Sequence, residues 1–314
     1  MGARKRNDMA DIEHEDETKR CGFVALLGAP NAGKSTLTNA LVGSKVSIVT
    51  PKVQTTRARI TAIAIHDNAQ IVFVDTPGIF AKTKQRLEKA MVAAAWSGAA
   101  DADIRAVLVD ADRGMDGNTR AIIAGLKKEG MTATLVINKI DLVRRETLLA
   151  LAEKLHEEGV FGEVFMISAL KGDGVADLLA ALAAKLPLGP WHYPEDQLAD
   201  ISERLLAAEI TREKLFLRLH QELPYASTVE TESWKTLKDG ALRIEQVIYV
   251  RRDTQKAIVL GKGGQQIKQI GAEAREEMAE IFGCTVHLFL FVKVRDNWQD
   301  DPERYREMGL DYHR

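Results

Sequence analysis

The 314-residue chain has little of what marks a secreted or membrane-spanning protein. Its two cysteines, Cys21 and Cys284, are far apart and fit no metal-ligand spacing, so we expect a reduced, cytoplasmic setting. No apolar run approaches the roughly 18 residues of a membrane-spanning helix, and the start carries no apolar signal-peptide region. The composition is 46% hydrophobic and 28% charged with a formal net charge of −2, which is typical of a globular protein.

The order of apolar, polar and proline-rich stretches predicts two domains. Residues 1–20 are almost wholly charged or small, and we expect them to form a disordered tail. Residues 21–186 alternate between strand-like and helix-like segments, which predicts an α/β domain with a mostly parallel sheet covered by helices on both faces. Three prolines mark a linker over residues 187–197. Residues 198–314 then carry a smaller α+β domain with a C-terminal tail.

A phosphate-binding loop follows the first predicted strand. Residues 28–35 fit G-x-x-x-x-G-K-[ST] between an apolar run and a helix-like segment, the context that this motif requires. Backbone N–H groups would surround phosphate oxygens, Lys34 would reach the β and γ phosphates, and Ser35 would ligate Mg²⁺. The alternative is a chance glycine turn before a helix. The predicted nucleotide contacts here are Gly28, Ala29, Pro30, Asn31, Ala32, Gly33, Lys34, Ser35 and Thr36.

A second predicted phosphate-site segment ends the apolar run 71–74. It consists of Asp75, Thr76, Pro77 and Gly78. A carboxylate at a strand end can hold Mg²⁺ directly or through water. The N–H of Gly78 can bond the γ-phosphate, so that loss of this phosphate releases the loop. A loop aspartate before a Pro-Gly turn is the alternative interpretation.

Two further segments predict that the base is guanine. Asn138, Lys139 and Asp141 follow a strand-like run, and an ionised Asp141 accepts the paired N–H donors of guanine, which adenine lacks. Asn138 and Lys139 would bond the base edge and cover its face. A helix N-cap is the alternative role for Asp141. A third group, predicted to close the base pocket with a backbone N–H, consists of Ser168, Ala169 and Leu170.

The ordered set of four motifs resembles the small-G-protein domain of the translation-factor-type GTPases. The resemblance places a switch segment at residues 54–57. It implies Thr56 as the magnesium-sensing hydroxyl, because related proteins place that threonine just before an arginine; Thr55 remains an alternative, and so does a plain strand entry. With Ser35 and Asp75, Thr56 completes the predicted metal ligands. The predicted catalytic set is Lys34, Thr56 and Gly78.

The second domain is predicted to bind RNA through a glycine loop between two helices. The element order is helix, strand, strand, helix, helix, strand, and the loop is formed by residues 261–264. The predicted bounds, in that order, are 198–219, 229–234, 242–250, a short helical turn over 257–260, 265–281 and 286–294. This arrangement resembles a type II KH domain, in which such a loop clamps about four nucleotides. A glycine turn in an ordinary α+β domain is the alternative. The predicted RNA contacts are Ile258, Gly261, Lys262, Gly263, Gly264, Ile267 and Lys268, with Ile270 as part of the apolar groove.

A GTPase domain followed by a type II KH domain resembles the Era family of bacterial GTPases. The resemblance implies binding of the 3′ end of small-subunit ribosomal RNA, a role in assembly of the small ribosomal subunit, and peripheral association with the inner membrane. No heptad pattern suggests more than a monomer. A signalling or membrane-recruitment switch, whose KH-like domain docks protein partners, is the alternative function.

One residue departs from the Ras-like pattern. Ile79 follows Gly78 where Ras-like enzymes have a glutamine that orients water, so we expect slow intrinsic hydrolysis. Related GTPases with an apolar residue here use a potassium ion held partly by an asparagine of the phosphate loop, and Asn31 matches this residue. A turn role for Asn31 is the alternative.

Overall fold

A computed structural model describes residues 18–312 except 53–54, 58–59, 82, 84–85, 221–222, 297 and 299–300. The predicted disordered tail therefore lies, up to residue 17, outside the described residues, and so does Gln54 of the predicted switch segment. The chain divides into two compact units. The first consists of residues up to Val46 together with Thr56–Asp200, and the second of Ser47–Thr55 together with Ile201–Tyr312.

The first unit is built on a seven-stranded sheet with the order β6-β5-β4-β1-β3-β2-β7. Its strands are β1 (Arg20–Gly28), β2 (Ile60–His66), β3 (Ala69–Asp75), β4 (Ile104–Asp110), β5 (Ala133–Asn138), β6 (Phe161–Ile167) and β7 (Ala199–Asp200). Five helices accompany them among the described residues: α1 (Lys34–Val42), α2 (Arg86–Asp101), α3 (Gly117–Lys128), α4 (Arg145–His156) and α5 (Val175–Lys185). β2 pairs antiparallel with β3 and β7, and the other neighbours are parallel.

Helices cover both faces of this sheet. Leu37 of α1 and Leu178 of α5 pack with one face of the strands. Ala95 of α2, Ile122 of α3 and Leu155 of α4 belong to the cluster on the other face. The strands are apolar on both sides because each face is buried, which is the expected pattern for parallel strands. This confirms the predicted mostly parallel α/β architecture, and it brings the loops after β1, β3, β5 and β6 to one edge of the sheet.

Two elements of the first unit differ from the prediction. Helix α2 was not predicted, although its alanine-rich sequence favours a helix. The predicted helix beginning at Leu198 begins instead at Glu203, capped by the Ser202 side chain, which accepts a hydrogen bond from Leu205 N. Ala199 and Asp200 form the edge strand β7 on β2. Long-range pairing, which local propensity does not report, overrides the helical pattern there.

The second unit packs its three longer helices on one face of a three-stranded sheet. Its elements are α6 (Glu203–Arg218), β8 (Ser227–Thr236), β9 (Leu242–Val250), α7 (Asp253–Leu260), α8 (Gln265–Phe282), β10 (Val286–Val294) and the short α9 (Pro302–Glu307). The sheet order is β10-β9-β8, with β10 parallel and β8 antiparallel to β9. Leu215, Ile248 and Ile270 share one core cluster, which joins α6 and α8 to the sheet. This confirms the predicted KH element order, although α7 is a full helix where only a short turn over 257–260 was predicted.

No helix within the described part of the chain combines the length and apolar character needed to cross a bilayer.

Candidate nucleotide and nucleic-acid sites

The loop between β1 and α1 has the backbone of a phosphate cradle. Asn31 and Gly33 adopt left-handed φ values of 65° and 97°. A Cβ on Gly33 would lie 2.2 Å from the Asn138 side-chain nitrogen, so only glycine fits between the two loops. Helix α1 starts at Lys34, which directs the N–H groups of its first turn toward the loop. The arrangement suits an anion at the helix N-terminus.

Lys34 lies buried in this loop. Its ammonium donates hydrogen bonds of 3.1 Å to the carbonyls of Gly28 and Ala29. Burial lowers the pKa of Lys34 to about 8, and the Asp75 carboxylate partly opposes this shift. Because the charged form is costly in this environment, an anionic ligand would restore the ordinary preference of Lys34 for its proton.

Three oxygen-bearing side chains from separate segments meet beside Lys34. Ser35 Oγ lies 2.7 Å from Thr56 Oγ1 and donates to Asp75 Oδ2 at 2.9 Å. Thr55, the alternative, instead pairs with Thr50 at 2.6 Å between their hydroxyls. Hydroxyl and carboxylate oxygens are the hard ligands that Mg²⁺ prefers, so this cluster fits the metal that the sequence predicts.

The loop after β3 contacts the phosphate loop closely. Gly78 could not carry a Cβ without approaching Pro30 Cα to 3.0 Å, and Ile79 N donates to Gly28 O at 3.1 Å. Thr76 Oγ1 is anchored on Leu26 O at 2.7 Å. The Ile79 side chain is only 2% exposed and packs in the core. Its apolar character therefore serves packing, and it supplies no group that could orient water.

Asn138 joins three loops through its amide. Its Nδ2 donates to Ala32 O at 2.9 Å, and its Oδ1 accepts from Lys139 N at 2.8 Å and Ala169 N at 3.0 Å. The residue is buried. Its amide oxygen and one of its two N–H donors tie the phosphate loop to the two base loops, and the contact of the second N–H with the base edge stays a prediction.

Lys139 and Asp141 remain as side chains that can meet a base. Lys139 has a left-handed φ of 66°, and its ammonium forms an ion pair of 2.6 Å with Asp110. Ser168 Oγ donates to Asp141 Oδ1 at 2.7 Å, and this hydrogen bond holds the pKa of Asp141 below its usual value. The carboxylate is therefore kept ionised as an acceptor. Leu170 is 80% exposed, so its side chain contributes little to a closed pocket.

The glycine loop of the second unit lies between α7 and α8. Gly261 has φ 72° and ψ 175°, a combination that essentially only glycine adopts. Gly263 and Gly264 follow with left-handed φ values of 61° and 75°. A Cβ on Gly261 would lie 2.6 Å from Gln266 Cβ. The loop is a bare backbone surface, and Lys262 at its centre is exposed.

Basic residues precede and follow this loop in the sequence, whereas residues 191–314 as a whole contain 18 lysines and arginines against 22 acidic residues. Arg251 and Arg252 precede α7, Lys268 lies in the first turn of α8, and all three side chains are exposed. Ile258 is 57% exposed and Ile267 is half-buried, so both can contribute to a surface groove. Ile270 is fully buried in the core. Its predicted place in the groove is therefore wrong, because α8 turns this residue toward the sheet.

Residues 47–55, part of the second unit, make contacts that sequence reasoning missed. Val49 N donates to Glu213 Oε1 at 2.8 Å. The Lys52 ammonium donates to Phe216 O and Leu219 O, carbonyls at the C-terminal end of α6. Burial lowers the pKa of Lys52. No local signal marks these partners, since they lie more than a hundred and fifty residues away in sequence.

The fold and the ordered motifs define a P-loop GTPase joined to a KH domain. Residues 23–139 match the family described as "50S ribosome-binding GTPase", and residues 222–299 match the family described as "KH domain". The chain is 64% identical to the GTPase Era of Afipia carboxidovorans across 300 residues, which cover 96% of this chain and 97% of that one. It is also 64% identical to the GTPase Era of Rhizobium meliloti across 293 residues, 93% of each chain. The chain belongs to the Era family and is a GTPase.

Two solved Era structures are similar over nearly all of the chain. One is Era in complex with MgGDPNP and nucleotides 1506–1542 of 16S ribosomal RNA; it is 38% identical, with a TM-score of 0.88, and covers 94% of this chain and 100% of that one. The other is a single-residue variant of Aquifex aeolicus Era bound to GDP and AlF4⁻, also 38% identical, with a TM-score of 0.87 over 93% of this chain and 100% of that one. The AlF4⁻ complex accords with GTP hydrolysis as the family's reaction.

Proposed function

We propose that this GTPase is an assembly factor of the small ribosomal subunit that binds the 3′ end of small-subunit ribosomal RNA in a nucleotide-dependent way. The observation that carries the proposal is the Gly261–Gly264 loop, a bare, basic backbone surface in the same chain as a guanine-nucleotide site. Era in complex with a 16S ribosomal RNA fragment supports the choice of RNA.

In the nucleotide half, each residue group has a separate task. The cradle N–H groups and Lys34 bind the β and γ phosphates of GTP, while Lys139 and the ionised Asp141 orient the guanine. Ser35, Thr56 and Asp75 would hold Mg²⁺, which neutralises phosphate charge when bound; a relative with MgGDPNP supports this. Gly78 N–H senses the γ-phosphate. Ile79 is buried in the core and cannot orient the attacking water. Hydrolysis therefore depends on positioning of the phosphates and stabilisation of their charge, and we expect it to be slow.

We also propose that a potassium ion near Asn31 stimulates GTP hydrolysis. The left-handed φ of 65° gives Asn31 a backbone role as well, since asparagine tolerates this conformation better than most residues. We expect faster single-turnover hydrolysis in potassium chloride than in sodium chloride at equal ionic strength. Equal rates in the two salts would remove potassium from the mechanism and leave the GTPase assignment intact.

In the RNA half, the glycine loop brings its backbone against the RNA backbone, which a Cβ would prevent. Lys262 neutralises a phosphate, while Ile258 and Ile267 line the groove under the bases. Lys268 adds a second cation one helical turn away. Arg251 and Arg252 extend the basic patch, so we expect affinity to fall with salt.

The location and assembly state are also proposals. We propose a cytoplasmic monomer, on the basis of the two isolated cysteines and of the lack of a heptad pattern. Peripheral association with the inner membrane is implied by the family resemblance alone. Cell fractionation and sedimentation of the purified chain check these points.

The decisive experiment measures binding of a labelled 3′-terminal small-subunit ribosomal RNA fragment. Wild type and a Lys262→Asp, Gly263→Asp double variant are each titrated with a GTP analogue or with GDP. We expect tight binding only for wild type with the analogue. Equal weak binding in all four samples would instead favour the protein-docking alternative.

A matched control exists in the first unit. Lys128→Asp with Gly130→Asp makes the same charge change, because each double variant replaces a lysine and a glycine by aspartates. The Lys128 side chain is 83% exposed, as a surface control requires. It also imposes the same backbone strain, because Gly130 has φ 63° and Gly263 has φ 61°, each with open space around a Cβ. This control should bind RNA like wild type. If it loses binding equally, general charge rather than the loop explains the effect.

A further inference from the structure

Two phenylalanine rings lie exposed on the outer face of the second unit's sheet. Phe289 and Phe291, on the edge strand β10, are 43% and 50% exposed. Leu288 and Leu290 between and beside them pack against the helices' side of the sheet. Side chains alternate along a strand, so the two rings share the opposite face. Large rings are usually buried, and a neighbouring exposed pair marks an interaction surface.

Cations flank these rings. The Arg243 guanidinium on β9 lies 4.8 Å from the Phe289 ring centroid and pairs with Glu245 at 2.8 Å. At the other end of the pair, Lys293 binds Glu232 at 2.9 Å, with its side chain 53% exposed. The two acidic groups are therefore each neutralised by a cation. We call Phe289, Phe291, Arg243 and Lys293 the aromatic strip.

Another part of this sheet face is covered by the C-terminal segment. The Arg304 guanidinium lies 4.4 Å from the Tyr249 ring centroid and pairs with Glu230 at 2.7 Å. Trp298 is 1% exposed and donates to Ala226 O at 3.0 Å. Within the described part of the chain, the aromatic residues at one end of the face are thus covered, whereas Phe289 and Phe291 of the aromatic strip are exposed.

We propose that the aromatic strip binds single-stranded RNA, with bases stacked on Phe289 and Phe291 and phosphates beside Arg243 and Lys293. Alternate residues of a strand are about 7 Å apart, and aromatic residues on an open sheet stack successive bases in other RNA-binding domains. The strip holds two rings between two ion pairs, Arg243 with Glu245 and Lys293 with Glu232. This composition suits a nucleic acid better than an apolar protein surface.

The position of β10 supports a path from the glycine loop to the strip. Helix α8 begins at Gln265, directly after the loop, and packs on β10, where a Cβ on Gly271 would lie 3.3 Å from Leu290 Cδ1. The aromatic strip is on the opposite face of β10, so RNA that extends beyond the roughly four nucleotides of the clamp would reach it around the free edge of this strand. The inference rests on the proposed function, since it extends the RNA that the loop holds.

The test uses the full chain with a GTP analogue and two RNAs, a short oligonucleotide limited to the clamp and the full 3′-terminal fragment. Phe291→Tyr and Phe291→Leu form a matched pair, because tyrosine keeps the aromatic face and leucine keeps only apolar bulk. We expect Phe291→Leu to weaken binding of the long RNA about tenfold and to leave the short RNA unchanged. Phe291→Tyr should bind both like wild type.

Salt dependence separates stacking from charge. Phe291→Leu should leave the slope of log affinity against log salt unchanged, whereas Lys293→Gln should reduce it by about one. Equal binding of the long RNA by all Phe291 variants would overturn the proposal while the proposed function stands. Failure of wild type to bind either RNA would overturn both. GTP hydrolysis and thermal melting check that each variant is folded.

Discussion

At the residue scale, the nucleotide site depends on polar groups that are buried before any ligand is added. Lys34, Asp75 and Asn138 are 6%, 0% and 2% exposed. The motifs predicted which residues gather at the strand ends, because phosphate and base chemistry restrict the residue types. They did not predict that Asn138 also joins loops, since its partners Ala32 and Ala169 lie in other segments.

Lys34 should make nucleotide affinity depend on pH. Its pKa of about 8 in the free protein rises when a triphosphate binds, so binding takes up a proton near and above pH 8. Affinity for a GTP analogue should be flat below about pH 7 and fall by up to tenfold per pH unit above about pH 8. Calorimetry in two buffers of different ionisation enthalpy measures the proton uptake.

Lys34→Arg is the control, since a guanidinium stays charged throughout this range. Its affinity, whatever its absolute value, should not change with pH between about pH 7 and 9. A wild-type affinity that is equally flat would show that Lys34 is already fully charged in the free protein.

At the element scale, prediction succeeded where local pattern and tertiary packing agree. β9 and β10 have the predicted bounds, Leu242–Val250 and Val286–Val294, because their apolar periodicity matches their burial. The start of α6 was wrong because β7 forms by pairing with β2, far away in sequence. Helix α2 was missed because its many alanines, on buried and exposed faces alike, blur the apolar stripe that marks an amphipathic helix.

The glycine loop gives a prediction at this scale. Gly261→Ala should weaken the junction of α7 and α8 by about 2–4 kcal/mol, the sum of a backbone conformation that excludes alanine and a clash with Gln266. Gly263→Ala should cost only about 1 kcal/mol, since its φ of 61° is left-handed but its surroundings are open. Amide hydrogen exchange of α7 in the full chain measures both.

RNA binding of the same two variants completes the comparison. Gly261→Ala should abolish it, and Gly263→Ala should reduce it because a methyl group enters the surface that faces the RNA backbone. Similar exchange protection in both variants would contradict the assigned geometry of Gly261.

At the scale of the whole molecule, the chain passes at Thr55 and Thr56 from the RNA-binding unit into the nucleotide-binding unit. Thr56 meets Ser35 in the first unit, whereas Thr55, its neighbour in the chain, is grouped with the second unit. Arg212 of α6 donates to Thr55 O, and Lys52 caps the end of the same helix. Arg218 at the end of α6 in turn binds Glu273 of α8 at 2.9 Å. A change at Thr56 therefore has a covalent route into the helices that present the glycine loop.

Lys52→Met should weaken the coupling between nucleotide and RNA. A cation at the C-terminal end of a helix contributes about 1 kcal/mol, so the ratio of RNA affinities with GTP analogue and with GDP should fall roughly fivefold. Titration of the labelled RNA fragment in both nucleotide states measures the ratio. Lys128→Met, at an exposed lysine of the first unit, should leave it unchanged, and an unchanged ratio in Lys52→Met would exclude this route.

The residues that make these contacts are far apart in sequence, so the ribosome synthesises them at different times. The amide of Val49 and the carboxylate of Glu213 that it binds are 164 positions apart. During synthesis, all four nucleotide motifs are complete once Leu170 has been added, but the helix that receives residues 47–55 has not yet been made. A growing chain can thus acquire its guanine-nucleotide site first, and the segment that links this site to the RNA-binding helices gains its partner only later in translation.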